Sequence, residues 1–137
     1  MSGAVCARFD LAALAAEFPE SADTLLRDRY LTDAPDASAR LFRVYQGTPA
    51  HYHVHSDEYL FVLSGRGTFW MEHESATAEF QPGQLLYFRR GAVHALPQLL
   101  AGPVVFYAVD VPRRRPEDIV FVAPRPADAA EFIAAIG

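Results

Sequence analysis

The sequence predicts an all-β domain, a sandwich or a barrel, from the spacing of its strands and turns. From Arg40 onward, short apolar runs alternate with turn residues at Gly47, Pro82-Gly83 and Arg90-Gly91. Short strands separated by regularly spaced turns are typical of these two architectures. The chain has 137 residues, of which 51% are hydrophobic and 21% charged, so one globular domain over residues 1–137 is expected.

The predicted strands follow from apolar runs bounded by turn signals. Ser64-Gly65-Arg66-Gly67 is a strong hairpin signal, so we expect the chain to reverse there. Residues 24–31 fit either a helical turn or an edge strand. The strands are expected over residues 41–46, 50–55, 59–63, 68–73, 76–80, 85–88, 93–98 and 104–111, with 119–122 as an additional edge strand.

Two short helices are expected at the ends of the chain. Over residues 10–18, Asp10 can cap the helix and Pro19 ends it. Over residues 128–136, Glu131 occupies the capping-box position. The predicted domain therefore has a barrel core over about residues 40–112, an N-terminal helical segment over 1–39, and a C-terminal extension with a helix over 113–137.

The composition excludes several classes of function. A net charge of −5 argues against a nucleic-acid or anionic membrane surface, because both favour a basic face. No apolar run approaches the roughly 18 residues of a membrane span, and the first residues do not resemble a signal peptide. All twelve basic residues are arginine, which excludes Schiff-base catalysis by lysine. We expect a cytoplasmic protein, and the lack of lysine and asparagine suggests a GC-rich bacterial genome.

Metal-binding residue types are concentrated at the start of the predicted barrel. His51, His53 and His55 alternate along a predicted strand, so their side chains share one face. Neighbouring pairs lie about 6.6 Å apart, and the outer pair about 13 Å apart. The three histidines can therefore hardly bind the same ion, and the candidate pairs are His51 with His53 or His53 with His55.

Glu58 favours the first of these pairs. On an unbroken strand, its parity would place it on the face opposite the histidines. The chain must bend between Val54 and Asp57 for Glu58 to face them, and the polar Ser56-Asp57 is a suitable place. Such a bend leaves His51 and His53 on the intact strand and His55 at its end.

Two motifs in this region resemble those of the cupins. His51-x-His53-x4-Glu58-x6-Gly65 matches the first cupin motif, and Gly83-x5-Arg89-x-Gly91-x2-His94-x3-Gln98 matches both glycines and the histidine of the second. Three positions depart from the family pattern: three residues separate Gly47 from His51 instead of five, Arg89 replaces proline, and Gln98 replaces asparagine.

The resemblance implies a fold and a metal site. The fold would be a double-stranded β-helix, or jelly-roll β-barrel. His51, His53, Glu58 and His94 would bind one divalent transition metal, with Fe, Mn, Zn, Ni and Cu as candidates. Open positions on that metal would be left for water or substrate.

The resemblance leaves more than one function open. The first is a metal-dependent enzyme, of the dioxygenase, isomerase or decarboxylase type, acting on a small organic acid or aromatic metabolite; His55 and Tyr52 are candidate catalytic residues. The second is a non-catalytic module that binds or senses a small ligand, with or without metal. The third is a metal-free barrel that binds a sugar or nucleotide-sugar.

Two further predictions concern the surface. The basic run Pro112-Arg113-Arg114-Arg115-Pro116 is expected to form a solvated loop. Homodimerisation is expected because antiparallel sheets leave edges that must be covered, and because Phe61 and neighbouring apolar residues exceed what one barrel accommodates. Symmetric dimers are also the commonest assembly.

Overall fold

The computed structural model describes residues 6–122 and 133–135, the last three by their backbone alone. Within these residues the chain forms one short helix, one 3-10 turn over Glu74–Ala76 and ten strands. The elements are α1 (Leu11–Ala15), β1 (Leu26–Ala34), β2 (Ala37–Val44), β3 (Thr48–Tyr52), β4 (Asp57–Met71), β5 (Ala78–Phe80), β6 (Leu85–Phe88), β7 (His94–Leu96), β8 (Leu99–Val111), β9 (Val120–Phe121) and β10 (Ile133–Ala135).

The strands form a curled sheet in the order β10-β1-β2-β8-β4-β7-β3-β9, with β5 and β6 also paired to β4. All of these pairs are antiparallel except that between β1 and β10. The long strand β4 pairs with β8 and β6 over its first half and with β7 at its end. The predicted jelly-roll β-barrel is therefore confirmed.

The interior is apolar at one end and charged at the other. Alternate residues of a strand share a face, so on β8 the side chains of Phe106, Ala108 and Asp110 point inward and are all fully buried. The apolar part of this core is formed by Leu26, Phe42, Val44, Leu60, Val62, Phe80, Leu86, Phe88, Leu96, Val104, Phe106 and Ala108. The charged part lies beyond Ala108, where Asp110 enters the interior.

The N-terminal helix forms where the sequence predicts a helix, although it is shorter than predicted. The backbone N–H of Ala13 donates to Oδ1 of Asp10 at 3.0 Å, which caps the first turn. Phe18 follows the helix and packs with Leu41 and Val105 on the outside of the sheet. None of the helices in the described residues is long and apolar enough to cross a membrane.

The predicted hairpin at residues 64–67 is wrong. The chain continues through it as part of β4, and the pairing with β8 shifts register around Ser64, Arg66 and Gly67. Gly65 adopts a φ of +85°, and a Cβ there would lie 2.6 Å from the carbonyl oxygen of Pro103. Glycine is therefore needed here for a bulge and a close backbone contact.

The chain ends also depart from the prediction. Residues 26–34, ambiguous in sequence, form the strand β1. The predicted C-terminal helix does not form at Ile133–Ala135, which pairs parallel with Leu26–Asp28 as strand β10. Without β10, β1 would be an edge strand with unpaired backbone N–H and C=O groups, and an added strand can form hydrogen bonds with such groups. The rest of the predicted C-terminal helix, residues 128–132 and 136, lies outside the described residues.

Candidate metal centre

Three histidines meet inside the charged end of the barrel. His51 on β3 is paired across the sheet with His94 on β7, and His53 follows directly after β3. One ring nitrogen from each of these three residues lies within 4.8 Å of the others. All three side chains are buried, so the sequence has brought three imidazoles into one enclosed site.

Backbone carbonyl groups orient each of these rings. Nδ1 of His51 lies 2.6 Å from the carbonyl oxygen of Pro49, Nδ1 of His53 lies 2.7 Å from that of Asp118, and Nδ1 of His94 lies 3.0 Å from that of Ala92. A carbonyl can only accept, so the proton of each neutral ring resides on Nδ1. In a ring that is neutral, Nε2 then carries the lone pair that a metal requires.

Glu58 completes the site from the first residues of β4. The chain bends at Val54 and His55 before β4 begins, and this turns the Glu58 side chain inward. The bend agrees with the prediction from sequence that Glu58 can face the histidines only if the strand is interrupted. Oε1 lies 3.4 Å from Nε2 of His53 and 3.7 Å from Nε2 of His94. The other oxygen, Oε2, accepts a hydrogen bond from Nη2 of Arg40 at 2.9 Å. One carboxylate oxygen thus faces the histidines while the other is held by a guanidinium group.

Arg40 is the centre of a buried charge cluster that the sequence analysis missed. Its Nε and Nη2 atoms donate to the two carboxylate oxygens of Asp110 at 2.8 and 3.2 Å, and its Nη1 lies 3.5 Å from Asp28. Arg40 is 2% exposed. The sequence does contain an indication of its burial, because Arg40 alternates with the core residues Phe42 and Val44 along β2 and so shares their inward face.

The prediction of a solvated loop over residues 112–116 is wrong for Arg114. We call residues 112–119, which join β8 to β9, the crossing segment. Arg114 is 3% exposed, and its Nη1 lies 3.5 Å from Oε2 of Glu58. Tyr30 and Ser38 hold its backbone, since the Tyr30 hydroxyl donates to its carbonyl group and its N–H donates to Ser38. The neighbouring Arg115 is exposed.

The same segment supports His53. The backbone N–H groups of Val54 and His55 donate to the two carboxylate oxygens of Asp118 at 2.8 and 3.0 Å. The Asp118 carbonyl oxygen contacts His53 Nδ1. Asp118 therefore fixes both the bend after β3 and the orientation of the His53 ring. These contacts join distant parts of the chain, so the sequence alone does not predict them.

A small cavity of about 30 Å³ lies among these groups. The candidate ligands all line it, whereas the candidate catalytic residues His55 and Tyr52 do not; His55 is exposed. Phe88 covers one side of His94, with its ring stacked at a centroid distance of 3.9 Å. The lining residues are Leu26, Arg40, Phe42, Thr48, His51, His53, Glu58, Leu60, His94, Leu96 and Arg114.

Burial and nearby charges keep three of the four proposed donors, His51, His94 and Glu58, in the protonation states that metal binding requires. Burial, followed by repulsion from the other histidines, lowers the pKa of His51 well below its usual value and that of His94 to about 4. For Glu58, burial opposes ionisation, but the combined attraction of His53, Arg114 and Arg40 outweighs it and holds the pKa well below its usual range. At neutral pH the site thus offers His51 and His94 as neutral imidazoles and Glu58 as a carboxylate.

A cation fits between these donors. Nε2 of His53 is buried and has no hydrogen-bond partner within the described part of the chain. This nitrogen faces Oε1 of Glu58 at 3.4 Å, so a ring nitrogen and a carboxylate oxygen converge without a hydrogen bond between them, an arrangement suited to a shared cation. Nitrogen and carboxylate donors without sulfur suit Fe, Mn, Ni, Zn or Cu.

The chain belongs to the cupin family. The family model described as a cupin domain matches residues 41–110, just over half of the chain. This range contains His51, His53, Glu58 and His94, and it ends before the crossing segment. No curated protein sequence matches the chain.

Solved structures with the same fold have low sequence identity to the chain. A Klebsiella pneumoniae protein with a double-stranded β-helix domain is 15% identical, with a TM-score of 0.64 over 85% of this chain and 97% of its own. KdgF from Halomonas sp. is 18% identical, with a TM-score of 0.59 over 66% and 81%. A variant of PAC13 from Streptomyces, solved with uridine, is 19% identical, with a TM-score of 0.55 over 74% and 78%. These similarities concern the fold.

Proposed function

We propose that this cupin is a metal-dependent enzyme acting on a small molecule, with His51, His53, His94 and Glu58 as the metal ligands. The observation that carries the proposal is the convergence of three buried imidazoles whose Nδ1 atoms all contact backbone carbonyl groups. Such contacts to the distal nitrogen are the usual support of metal-bound histidines. A bound divalent metal would supply an electrophile or a dioxygen-binding centre there.

The side chains that line the cavity have different roles in the proposed enzyme. The histidine rings are held rigidly, and Glu58 is kept ionised, so little reorganisation is needed when the site is loaded. The apolar side chains of Phe42, Leu60 and Leu96 line the same cavity. Every titratable side chain that lines the cavity is a proposed ligand or belongs to the arginine-carboxylate cluster. A bound metal would therefore have to supply the activation of the substrate, while these side chains hold and orient it.

That same lack of an independent base supports the second candidate, a binding or sensory module. A metal in an enclosed barrel can hold a small ligand without converting it. A metal-free sugar-binding barrel is disfavoured, because three imidazoles and the carboxylate of Glu58 together form a full ligand set for a cation.

A turnover screen separates the enzyme from the binder. Protein reconstituted with Fe(II), Mn(II), Ni(II) or Zn(II) is incubated under air with a panel of small organic acids and aromatic metabolites. Mass spectrometry of the products and oxygen consumption are then measured. We expect at least one metal-dependent product, reduced at least about 100-fold by His51→Ala and retained by His55→Ala. Metal-loaded protein that binds panel compounds and converts none of them would instead support the binding module.

The predicted homodimer remains a proposal, and one face of the barrel supports it. Tyr59, Leu85 and Tyr87 are 39%, 61% and 43% exposed on the outer side of β4 and β6, and the two tyrosine rings lie 4.8 Å apart. Adjacent exposed apolar groups on an edge strand are suited to a second copy.

We expect light scattering at micromolar concentration to give twice the 15.2 kDa mass of the chain, and Leu85→Glu to give the single-chain mass. Since Leu85 is exposed, this change should leave the barrel folded. A single-chain mass for the unmodified protein would contradict the dimer.

A further inference from the structure

Arg114 differs from Arg40 in how its charge is compensated. Arg40 contacts three carboxylates, and three of its contacts are hydrogen bonds. The ion pair of Arg114 is the 3.5 Å contact with Glu58, and its one side-chain hydrogen bond runs from Nε to the carbonyl oxygen of Arg115. Within residues 6–122, no carboxylate accepts a hydrogen bond from the Arg114 guanidinium group. A buried cation with so little compensation is costly unless an anion joins it.

The position of Arg114 tells where that anion would lie. Its side chain lines the same cavity as the three histidines, and it reaches Glu58 from the side of the crossing segment. Glu58 Oε2 is already bonded to Arg40 at 2.9 Å and Oε1 faces the histidines. The guanidinium group therefore has donors left for a ligand that enters the cavity beside the candidate metal centre.

The charges of the cluster formed by the two arginines and their carboxylate partners lead to the same conclusion. Arg40 and Arg114 bring two positive charges, whereas Glu58 and the two carboxylates that contact Arg40, Asp28 and Asp110, bring three negative charges. A divalent metal changes this excess of one negative charge into an excess of one positive charge. A monoanionic ligand neutralises it, which a buried site requires.

The remaining walls limit the rest of the ligand. Leu26, Phe42, Leu60 and Leu96 are apolar, and the space among the lining residues measures about 30 Å³, the room of two or three water molecules. The cavity is partly open to solvent. A carboxylate group therefore fits beside the histidines with a short carbon chain directed toward the opening, whereas an aromatic ring or a sugar does not fit beside them.

We propose that the ligand of this site is a short-chain monocarboxylate, bound through its carboxylate group by the guanidinium group of Arg114 beside the metal. This inference rests on the proposed metal site and narrows its substrate class. Arg114 is a specificity-determining residue in this arrangement, because a guanidinium group pairs with a carboxylate through two parallel hydrogen bonds. A neutral amide of the same shape cannot replace that charge.

The test compares acids with their amides on protein reconstituted with Co(II). Pyruvate, lactate and glycolate are titrated beside pyruvamide, lactamide and glycolamide, and both the visible spectrum of the cobalt ion and the heat of binding are recorded. At least one acid should bind at least about tenfold more tightly than its amide, as expected for a charge-assisted hydrogen bond. The same acid should perturb the cobalt spectrum.

Three variants make the result specific to Arg114. Arg114→Met should retain cobalt and lose the preference for the acid to within twofold. Arg114→Lys, which keeps the charge if the methionine variant fails to fold, should retain a reduced preference. Arg115→Met, the exposed neighbour, should behave like the unmodified protein.

The possible failures are distinguishable. Equal affinity for acids and amides, or no binding of any acid to cobalt-loaded protein, overturns the assignment of a short-chain monocarboxylate and leaves the metal site standing. An acid preference that survives in Arg114→Met overturns the role of this residue. Failure of the unmodified protein to retain cobalt overturns the proposed function itself, and this inference with it.

Discussion

Replacing His53 by alanine should abolish stoichiometric metal retention, whereas replacing His55 should leave it unchanged. His53 is buried, its Nε2 lacks a hydrogen-bond partner within residues 6–122, and its Nδ1 contacts the Asp118 carbonyl oxygen. Groups outside the ligand set typically cost 10–100-fold in metal affinity when mutated. Loss of a direct ligand should therefore cost more than about 100-fold.

The measurement is elemental analysis of protein purified without a metal-affinity tag, before and after dialysis against a chelator. His55 is a matched control because it lies two residues further along the chain but is exposed. Iron or manganese near one equivalent in the unmodified protein would favour oxygen chemistry or isomerisation. Metal at background in the unmodified protein after reconstitution, or equal retention by both variants, would contradict the proposed ligand set.

Replacing Arg40 by methionine should destabilise the metal-free protein by about 3–5 kcal/mol, the usual cost of removing one partner of a buried ion pair. The variant leaves Asp110 buried without its cation and removes the hydrogen bond that Glu58 Oε2 accepts. Domains are stable by only about 5–15 kcal/mol in total. Urea denaturation followed by circular dichroism should show a much lower midpoint or an unfolded variant.

Two controls show whether the charge or the side-chain volume is responsible. Arg66→Met removes an ion pair with Glu79 in which both side chains are about half exposed or more, so its free energy of unfolding should change by less than about 0.5 kcal/mol. Combining Arg40→Met with Asp110→Leu also removes the carboxylate that accepts two hydrogen bonds from Arg40, and it should recover part of the loss. An Arg40→Met variant as stable as the unmodified protein would show that the cluster does not stabilise the fold.

Three of the proposed ligands, His51, His53 and Glu58, can be predicted from the sequence because their arrangement depends on local geometry. Strand parity places His51 and His53 on one face, and the parity of Glu58 requires the bend that the structure has at Val54 and His55. The inclusion of His94 came from the resemblance to the second cupin motif, since nothing in its own neighbourhood indicates a partner 41 or more residues earlier.

The charged groups around the ligands were not accessible in the same way. Arg40 and Asp110 could have been noticed as charged residues at inward parity, but their pairing requires β2 to lie beside β8. Arg114 lies in a run of three arginines, and only the path of the crossing segment decides which of them is buried. Residues 64–67 predict a chain reversal but form a bulge, because glycine-rich sequences occur in both structures and the sequence alone does not distinguish them.

The crossing segment extends the candidate site beyond the part of the chain that matches the family model. The family match ends at residue 110, yet the Asp118 carbonyl group orients His53, and the Asp118 carboxylate and the Arg114 side chain act on the bend and on Glu58. If Arg114 binds the ligand as we propose, the selectivity of this barrel depends on an eight-residue linker that lies between β8 and β9 and outside both ligand motifs.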